Sequence, residues 1–229
     1  EVVRLIDGDI EFHYISSDGS RVGPGDELAR IAGNARSILA GERTSLNFLQ
    51  RLSGVATQTE EYVAAVSGTR ARILDTRKTL PGWRLLDKYS VRVGGGTNHR
   101  MGLFDMVLLK ENHIEAADGI GPAVFAARRA MTSTRREVKV EVEVTDLTQL
   151  EEAIMAGVDW VMLDNMDVST MAQAVRQVHH HGDPRPWVEA SGNVSLRSVR
   201  EIAETGVDFI SVGSLTHSVS ALDVSMLFK

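Results

Sequence analysis

The chain has 229 residues, 43% of them hydrophobic and 24% charged, with a formal charge of −6. These values suit a soluble globular protein, either one large α/β domain or a barrel with an appendage, and no apolar run could span a bilayer. Zero cysteines exclude a disulfide framework, a thiolate nucleophile and a Cys-based zinc or Fe–S site, and an acidic pI without a basic stripe excludes wholesale nucleic-acid binding.

The chain opens at Glu1 without an initiator Met, so an upstream segment is expected to be missing; no charged-then-apolar leader is read, and a cytoplasmic setting is expected. Residues 1–26 read as β-rich and turn-rich: Ser17-Asp18-Gly19-Ser20 is a hairpin signal and Val22-Gly23-Pro24-Gly25 a turn. Residues 35–50 and 57–66 read as two helices. This stretch is expected to form part of a smaller domain leading into the main one.

From about residue 70, apolar runs alternate with helical patterns. Strands are predicted over residues 72–75, 106–110, 138–144, 160–164, 187–190 and 209–212. Asp146 heads a capping-box-like helix start ended by Gly157, and Ser195 is the expected N-cap of a helix burying Leu196, Val199, Ile202 and Ala203. Residues 156–165 and 205–214 share one plan: helix end, Gly-Val-Asp, apolar strand, polar strand end. Repeated βα units of this kind predict a parallel (β/α) barrel with chemistry at the strand C-termini. An open doubly wound sheet would carry its phosphate-binding glycines after the first strand, whereas here they come last. The segment from residue 215 to Lys229 is apolar enough to pack back on the N-terminal domain.

Against the acidic average, Arg77, Lys78, His99, Arg100 and Lys110 punctuate glycines and apolar runs between residues 75 and 114. Lys110 closes the apolar run Met106-Val107-Leu108-Leu109, where a buried strand would end. Such a cation set beside buried strands suits a small substrate with several negative charges. Gly94-Gly95-Gly96 precedes His99 and Arg100, and reads as a loop able to wrap a small anion. Glu141 and Glu143 alternate on one strand and point to one face, so Glu143 could meet a ligand or metal. Asp164 ends the next strand, and the two acids could hold sugar hydroxyls or Mg²⁺. Ser191-Gly192-Asn193 and Val212-Gly213-Ser214 follow the last two strands, where phosphate sites recur in such barrels. His179-His180-His181 sits at a helix end and is expected on the surface; Trp160 and Trp187 are expected to pack against helices.

The motifs DTRKT, KYSVRVGGGTNHRMGL, LLKENHI, EVEV, MLDN, EASGNVSL and ETGVDFISVGSLTHSV closely resemble the quinolinate phosphoribosyltransferase family, also called nicotinate-nucleotide pyrophosphorylase (carboxylating). The likeness runs from about Gly41 to the end and is weaker before it. It implies an α/β fold, an N-terminal α/β sandwich followed by an incomplete (β/α) barrel. Because the family has helices upstream of residue 1, the sandwich is expected here in truncated form, over residues 1–43, with the barrel over 44–229.

The implied reaction makes nicotinate mononucleotide, pyrophosphate and CO₂ from quinolinate and phosphoribosyl pyrophosphate (PRPP), a step of de novo NAD biosynthesis. Arg77, His99, Arg100 and Lys110 would surround the quinolinate carboxylates, and Arg43 would reach in from the neighbouring subunit of a dimer or larger assembly. Thr76 and Lys78 would lie along the substrate and the pyrophosphate. Glu143 and Asp164 would hold the ribose and, directly or through water, Mg²⁺. Ser191, Gly192, Asn193, Val212, Gly213 and Ser214 would bind the 5′-phosphate. Lys78, Lys110, Glu143 and Asp164 are the implied catalytic set. Many members have glycine where this chain has Asn193. The alternatives are a paralogous molybdate-operon protein of the same fold, a Schiff-base barrel aldolase using Lys110, and a non-catalytic phosphate-binding scaffold.

Overall fold

The structure is a computed structural model describing residues 1–134 and 137–228. A short helix, α1 (Val2–Ile6), precedes an antiparallel pair, β1 (Glu11–Tyr14) and β2 (Ala29–Ala32), joined through the predicted turns. The opening residues are thus helical rather than extended. They lean on the next helix at Gly41, where a Cβ would lie 2.9 Å from Ile6 Cδ1.

That next helix, α2 (Ala35–Ala65), is continuous over 31 residues, which corrects the expected pair of helices. Asn34 starts it by accepting from the amides of Arg36 (3.0 Å) and Ser37 (3.3 Å). Ser53 and Gly54, both weak helix formers, fall in the gap expected between the two. Instead, Gly54 lets the C-terminal segment cross the helix, since a Cβ there would lie 2.1 Å from the Ser220 carbonyl oxygen. Packing overrides a propensity cost of about 1 kcal/mol. The helix also runs unbroken through residue 43.

The main sheet has six parallel strands: β3 (Arg72–Leu74), β4 (Met106–Leu109), β5 (Lys139–Val144), β6 (Trp160–Asp164), β7 (Trp187–Ser191) and β8 (Phe209–Ser211). Their order is β3-β8-β7-β6-β5-β4. No ladder joins β3 to β4 among the described residues, so the barrel is incomplete. The free edge of β3 is taken by Thr97, whose amide donates to the Ile73 carbonyl at 2.8 Å.

The helices α3 (Arg84–Val93), α4 (Glu111–Ala116), α5 (Ile120–Thr134), α6 (Leu147–Met155), α7 (Val168–His180), α8 (Val199–Glu204) and α9 (Ser214–His217) fill the connections. Strand alternation separates two environments. Val140, Val142 and Val144 of β5 bury against helix residues such as Leu150 and Ala153, while Leu74, Met106, Trp160 and Phe209 form a separate interior cluster.

Trp160 stacks on Phe209 (centroids 4.4 Å apart) and on Trp187 (6.0 Å). The two tryptophans therefore pack on one another rather than on helices, because the strand N-termini of a barrel need large side chains to fill them. The cap of α8 also differs from expectation. Ser198 takes the N-cap and Ser195 heads the preceding turn, which leaves Leu196 exposed.

The last residues lie along α2, with the Leu222 amide on the Gln50 carbonyl (2.9 Å) and Gln50 Nε2 on the Val224 carbonyl (2.7 Å). Lys229, the last residue of the expected tail, lies outside the described residues. No described helix is long and apolar enough to cross a membrane.

Candidate active site

The segments leaving the C-terminal ends of the six strands converge. After β3, the Lys78 amide donates to Thr76 Oγ1 (3.0 Å), and the Lys78 carbonyl accepts from Thr216 Oγ1 of α9 (2.8 Å). The Lys78 side chain passes Gly213, its Cδ 3.5 Å from where a Cβ would stand. Thr76, Arg77 and Lys78 are thereby docked onto the loop of Val212, Gly213 and Ser214.

Asp75, fully buried, accepts from the His99 amide (2.9 Å), from Asn98 Nδ2 (2.5 Å) and from Lys88 Nζ. Lys88 Nζ donates in turn to the His99 carbonyl at 2.9 Å. Burial pushes the Asp75 carboxyl up and the Lys88 ammonium down, and their contact opposes both shifts. With three donors converging on Asp75, the ionised pair is the state the geometry favours. The pair fastens the end of β3 to residues 98–100, which keeps Arg77 and Arg100 together.

The three glycines upstream have another role than the expected anion loop. A Cβ on Gly94 would stand 2.3 Å from the Ala56 carbonyl oxygen, and one on Gly96 2.8 Å from Thr59 Cγ2, so they let α2 approach closely. Arg100 donates to the Met106 carbonyl (3.3 Å). Burial and the neighbouring Arg77 push its guanidinium down from its ordinary value, with Glu141 a partial offset. Arg77 Nε is buried without a partner. Two adjoining guanidiniums, one with an idle donor, make a setting that an anion would stabilise.

Lys110 follows β4 and pairs with Glu143 near the end of β5; the lysine is half exposed and the acid mostly buried. Asp164 ends β6 opposite Ser191 and accepts from Asn165 Nδ2 at 3.0 Å. Asn165 Oδ1 accepts from Asn193 Nδ2 (3.1 Å) and would lie 2.2 Å from a Cβ on Gly192. Only glycine fits there, and the loop of Ser191, Gly192 and Asn193 is pinned to the end of β6. Asn193 has φ +48, a left-handed conformation that asparagine tolerates in place of glycine. Ser214 Oγ is buried with no partner. Glu143 and Asp164, both partly buried near the ends of neighbouring strands, make an oxygen-only pair of donors. It suits Mg²⁺, which takes one or two carboxylates and completes its shell with water and phosphate oxygens.

Two expected members differ from the free cations of this mouth. Arg43 is exposed on α2 and makes no contact with the mouth among the described residues. His99 does not offer a free cation. Its Nε2 lies 3.0 Å from Glu141 Oε2 and 3.4 Å from Glu189 Oε2, and Ser211 Oγ donates to Glu189. Burial lowers the affinity of His99 for a proton, but the two acids outweigh it and raise its pKa to about 10. Burial and Glu189 push the Glu141 carboxyl upward.

Sequence reasoning passed over Glu189 and Ser211. The signal was present in Val188-Glu189-Ala190, an acid inside a buried strand, repeating Val140-Glu141-Val142. His179, His180 and His181 are exposed as expected, with His181 Nε2 3.1 Å from Glu151.

Residues 55–227 match the family described as quinolinate phosphoribosyl transferase, C-terminal domain, and residues 1–53 match its N-terminal domain. The mitochondrial quinolinate phosphoribosyltransferase [decarboxylating] 2a of Nicotiana tabacum is 42% identical over 96% of this chain and 66% of its own length. The probable nicotinate-nucleotide pyrophosphorylase [carboxylating] of Bacillus subtilis is 42% identical over 99% and 76%. The solved nicotinate-nucleotide pyrophosphorylase of Francisella tularensis superposes with a TM-score of 0.92 at 46% identity, covering 98% of this chain and 78% of that one. This chain thus spans about two thirds of the tobacco relative and about three quarters of the Bacillus one. With matches to both domains of one family along almost its whole length, the chain belongs to the quinolinate phosphoribosyltransferase family.

Proposed function

We propose that the chain catalyses the decarboxylating transfer of a phosphoribosyl group from PRPP to quinolinate, giving nicotinate mononucleotide, pyrophosphate and CO₂ for de novo NAD synthesis. The observation that carries this reading is a single rim of complementary groups. Arg77, Arg100 and Lys110 offer cations for a dicarboxylate. Glu143 and Asp164 offer acids for a ribose, and the backbone of the 191–193 and 212–214 loops suits its phosphate.

In this scheme the pyridine nitrogen attacks C1 of PRPP as pyrophosphate departs, and the sugar gains cationic character. Lys78, beside Gly213, stabilises the departing charge, and Glu143 and Asp164 lie beneath the sugar. Mg²⁺, held by those two acids directly or through water, would supply further neutralisation of pyrophosphate. The pyridinium then acts as an electron sink. The C2–carboxylate bond breaks, CO₂ leaves, and the ring carbon takes a proton from solvent. Arg77 and Arg100 hold the carboxylate that stays. Lys110 is ion-paired with Glu143 rather than set in an apolar pocket, which favours this role over Schiff-base formation.

Exposed Arg43 completes the site of a second copy in a homodimer or an assembly of dimers. The division of the chain at residue 43 into sandwich and barrel, and a cytoplasmic setting, belong to the same proposal. The test is quinolinate consumption with release of CO₂, dependent on PRPP and Mg²⁺, with nicotinate as the control substrate. Loss of quinolinate without PRPP, or PRPP binding without CO₂ release, would reject the reading.

A further inference from the structure

The buried trio of His99, Glu141 and Glu189 lies in the middle of the barrel, between the aromatic floor and the cationic mouth. His99 follows Thr97, the last residue of its segment bridged to β3, so its ring depends on other contacts for its direction. Its backbone is gripped on both sides, the amide by Asp75 and the carbonyl by Lys88. Its ring Nε2 faces Glu141 of β5 and Glu189 of β7, and its edge meets the Trp160 ring of β6 at 6.0 Å. Ser211 of β8 orients Glu189 from the far side, and Arg100 adds its charge near Glu141. Four strands thus converge on one imidazole.

We propose that Glu189, with Glu141, is a positioning residue for the transfer reaction: it holds the His99 ring by Nε2 so that Nδ1 is presented as a fixed donor to the pyridine diacid. This rests on the function proposed above. Two ionised acids against one imidazolium would leave a formal charge of −1, a cost that pushes the Glu141 carboxyl up, and Glu189 Oε2 has no hydrogen-bond partner. A buried arrangement of that cost needs a compensating layer. Arg100, whose charge acts on Glu141 and which neighbours Arg77, supplies it, and the substrate's carboxylates in turn are held by those two cations. The pair of acids therefore sets both the direction of the ring and its charge. The raised pKa of His99 agrees with this geometry: the ring stays an imidazolium, a donor at both nitrogens, across the neutral range.

The experiment compares wild type with Glu189→Gln and Ser211→Ala. Steady-state KM values are measured separately for quinolinate and PRPP, and the His99 ring is followed by ¹⁵N NMR from pH 6 to 9 without substrate. In the wild type the ring should give the imidazolium signature throughout. In Glu189→Gln it should titrate within that range, with the KM for quinolinate raised at least tenfold at pH 8, less at pH 6, and the KM for PRPP within about twofold. Ser211→Ala should follow the same pattern more weakly. Glu189→Asp keeps the charge and should retain the imidazolium if Glu189→Gln fails to fold.

Equal rises in both KM values without pH dependence, or a wild-type ring titrating near 6.5, would overturn the proposal. So would stoichiometric zinc uptake lost in Glu189→Gln, since the three potential ligand atoms lie within 4.8 Å of one another. An inactive wild type with an intact imidazolium signature would instead count against the function itself.

Discussion

The two ends of the same six strands are built to different rules. At the N-terminal ends, Trp160, Trp187 and Phe209 stack in a floor, with Lys139 over both indoles at 5.6 and 5.4 Å and Arg72 over the Phe209 ring at 4.8 Å. Cations there lie on aromatic faces and need no anion. At the C-terminal ends, cations face carboxylates, each other, or nothing. Arg77 Nε is idle and Arg100 stands beside Arg77. The floor leaves only the neutral Trp160 Nε1 without a partner among its described groups, whereas the mouth is left in a charged state that a multiply charged ligand would relieve. Stability and function are thus separated along strands of three to six residues.

Substitutions at the two ends should separate in the same way. Lys88→Met should have the largest effect, because it strands the buried Asp75 carboxylate and releases residues 98–100. A loss of about 3–5 kcal/mol in chemical denaturation is expected, with turnover falling too. Phe209→Ala should cost about 3–4 kcal/mol, a melting point lower by roughly 10 °C, yet leave kcat/KM within about twofold at 15 °C. If it abolished turnover while folded, the separation of floor from mouth would be broken.

Arg100→Ala should show the reverse. Its stability should stay within about 1 kcal/mol, while kcat/KM for quinolinate falls by about 2 kcal/mol of transition-state binding, roughly 30-fold.

The smallest effect lies outside both regions. Asp167 caps α7, and hydrogen bonds from Ser169 Oγ (2.7 Å) and from the Thr170 amide (2.8 Å) and Oγ1 (3.0 Å) hold its carboxyl at about 2, below its ordinary 3.8. A depressed carboxylate stabilises the fold above its ordinary value and loses that contribution as pH falls through about 2. Thermal melts of wild type and Asp167→Asn should differ by a few degrees at pH 6 and converge toward pH 2, with no change in activity at neutral pH.

The barrel strands were legible because buried β-branched runs between turn signals carry their own period. Each of the six begins and ends within a residue of its predicted bounds. The site's rim was legible for a related reason: a polar residue directly after such a run, as with Lys110 or Asp164, marks a strand's C-terminal end. What was not legible depends on partners distant in the chain. The Gly54 crossing needs Ser220, the close approach at Gly94 needs Ala56, and the Trp160–Trp187–Phe209 floor needs three strands in register. His99 shows the limit most clearly. It reads as one more cation beside Arg100, but β5 and β7 each supply an acid to the same ring nitrogen.

The central claim is that the mouth discriminates a pyridine diacid from a monoacid through paired guanidiniums. Calorimetric titration of the wild type and Arg100→Ala with quinolinate and with nicotinate tests it most directly. The account predicts quinolinate binding at least about 30-fold tighter than nicotinate in the wild type, with that ratio collapsing toward one in the variant. Equal affinities in the wild type, or a ratio that survives the substitution, would contradict it.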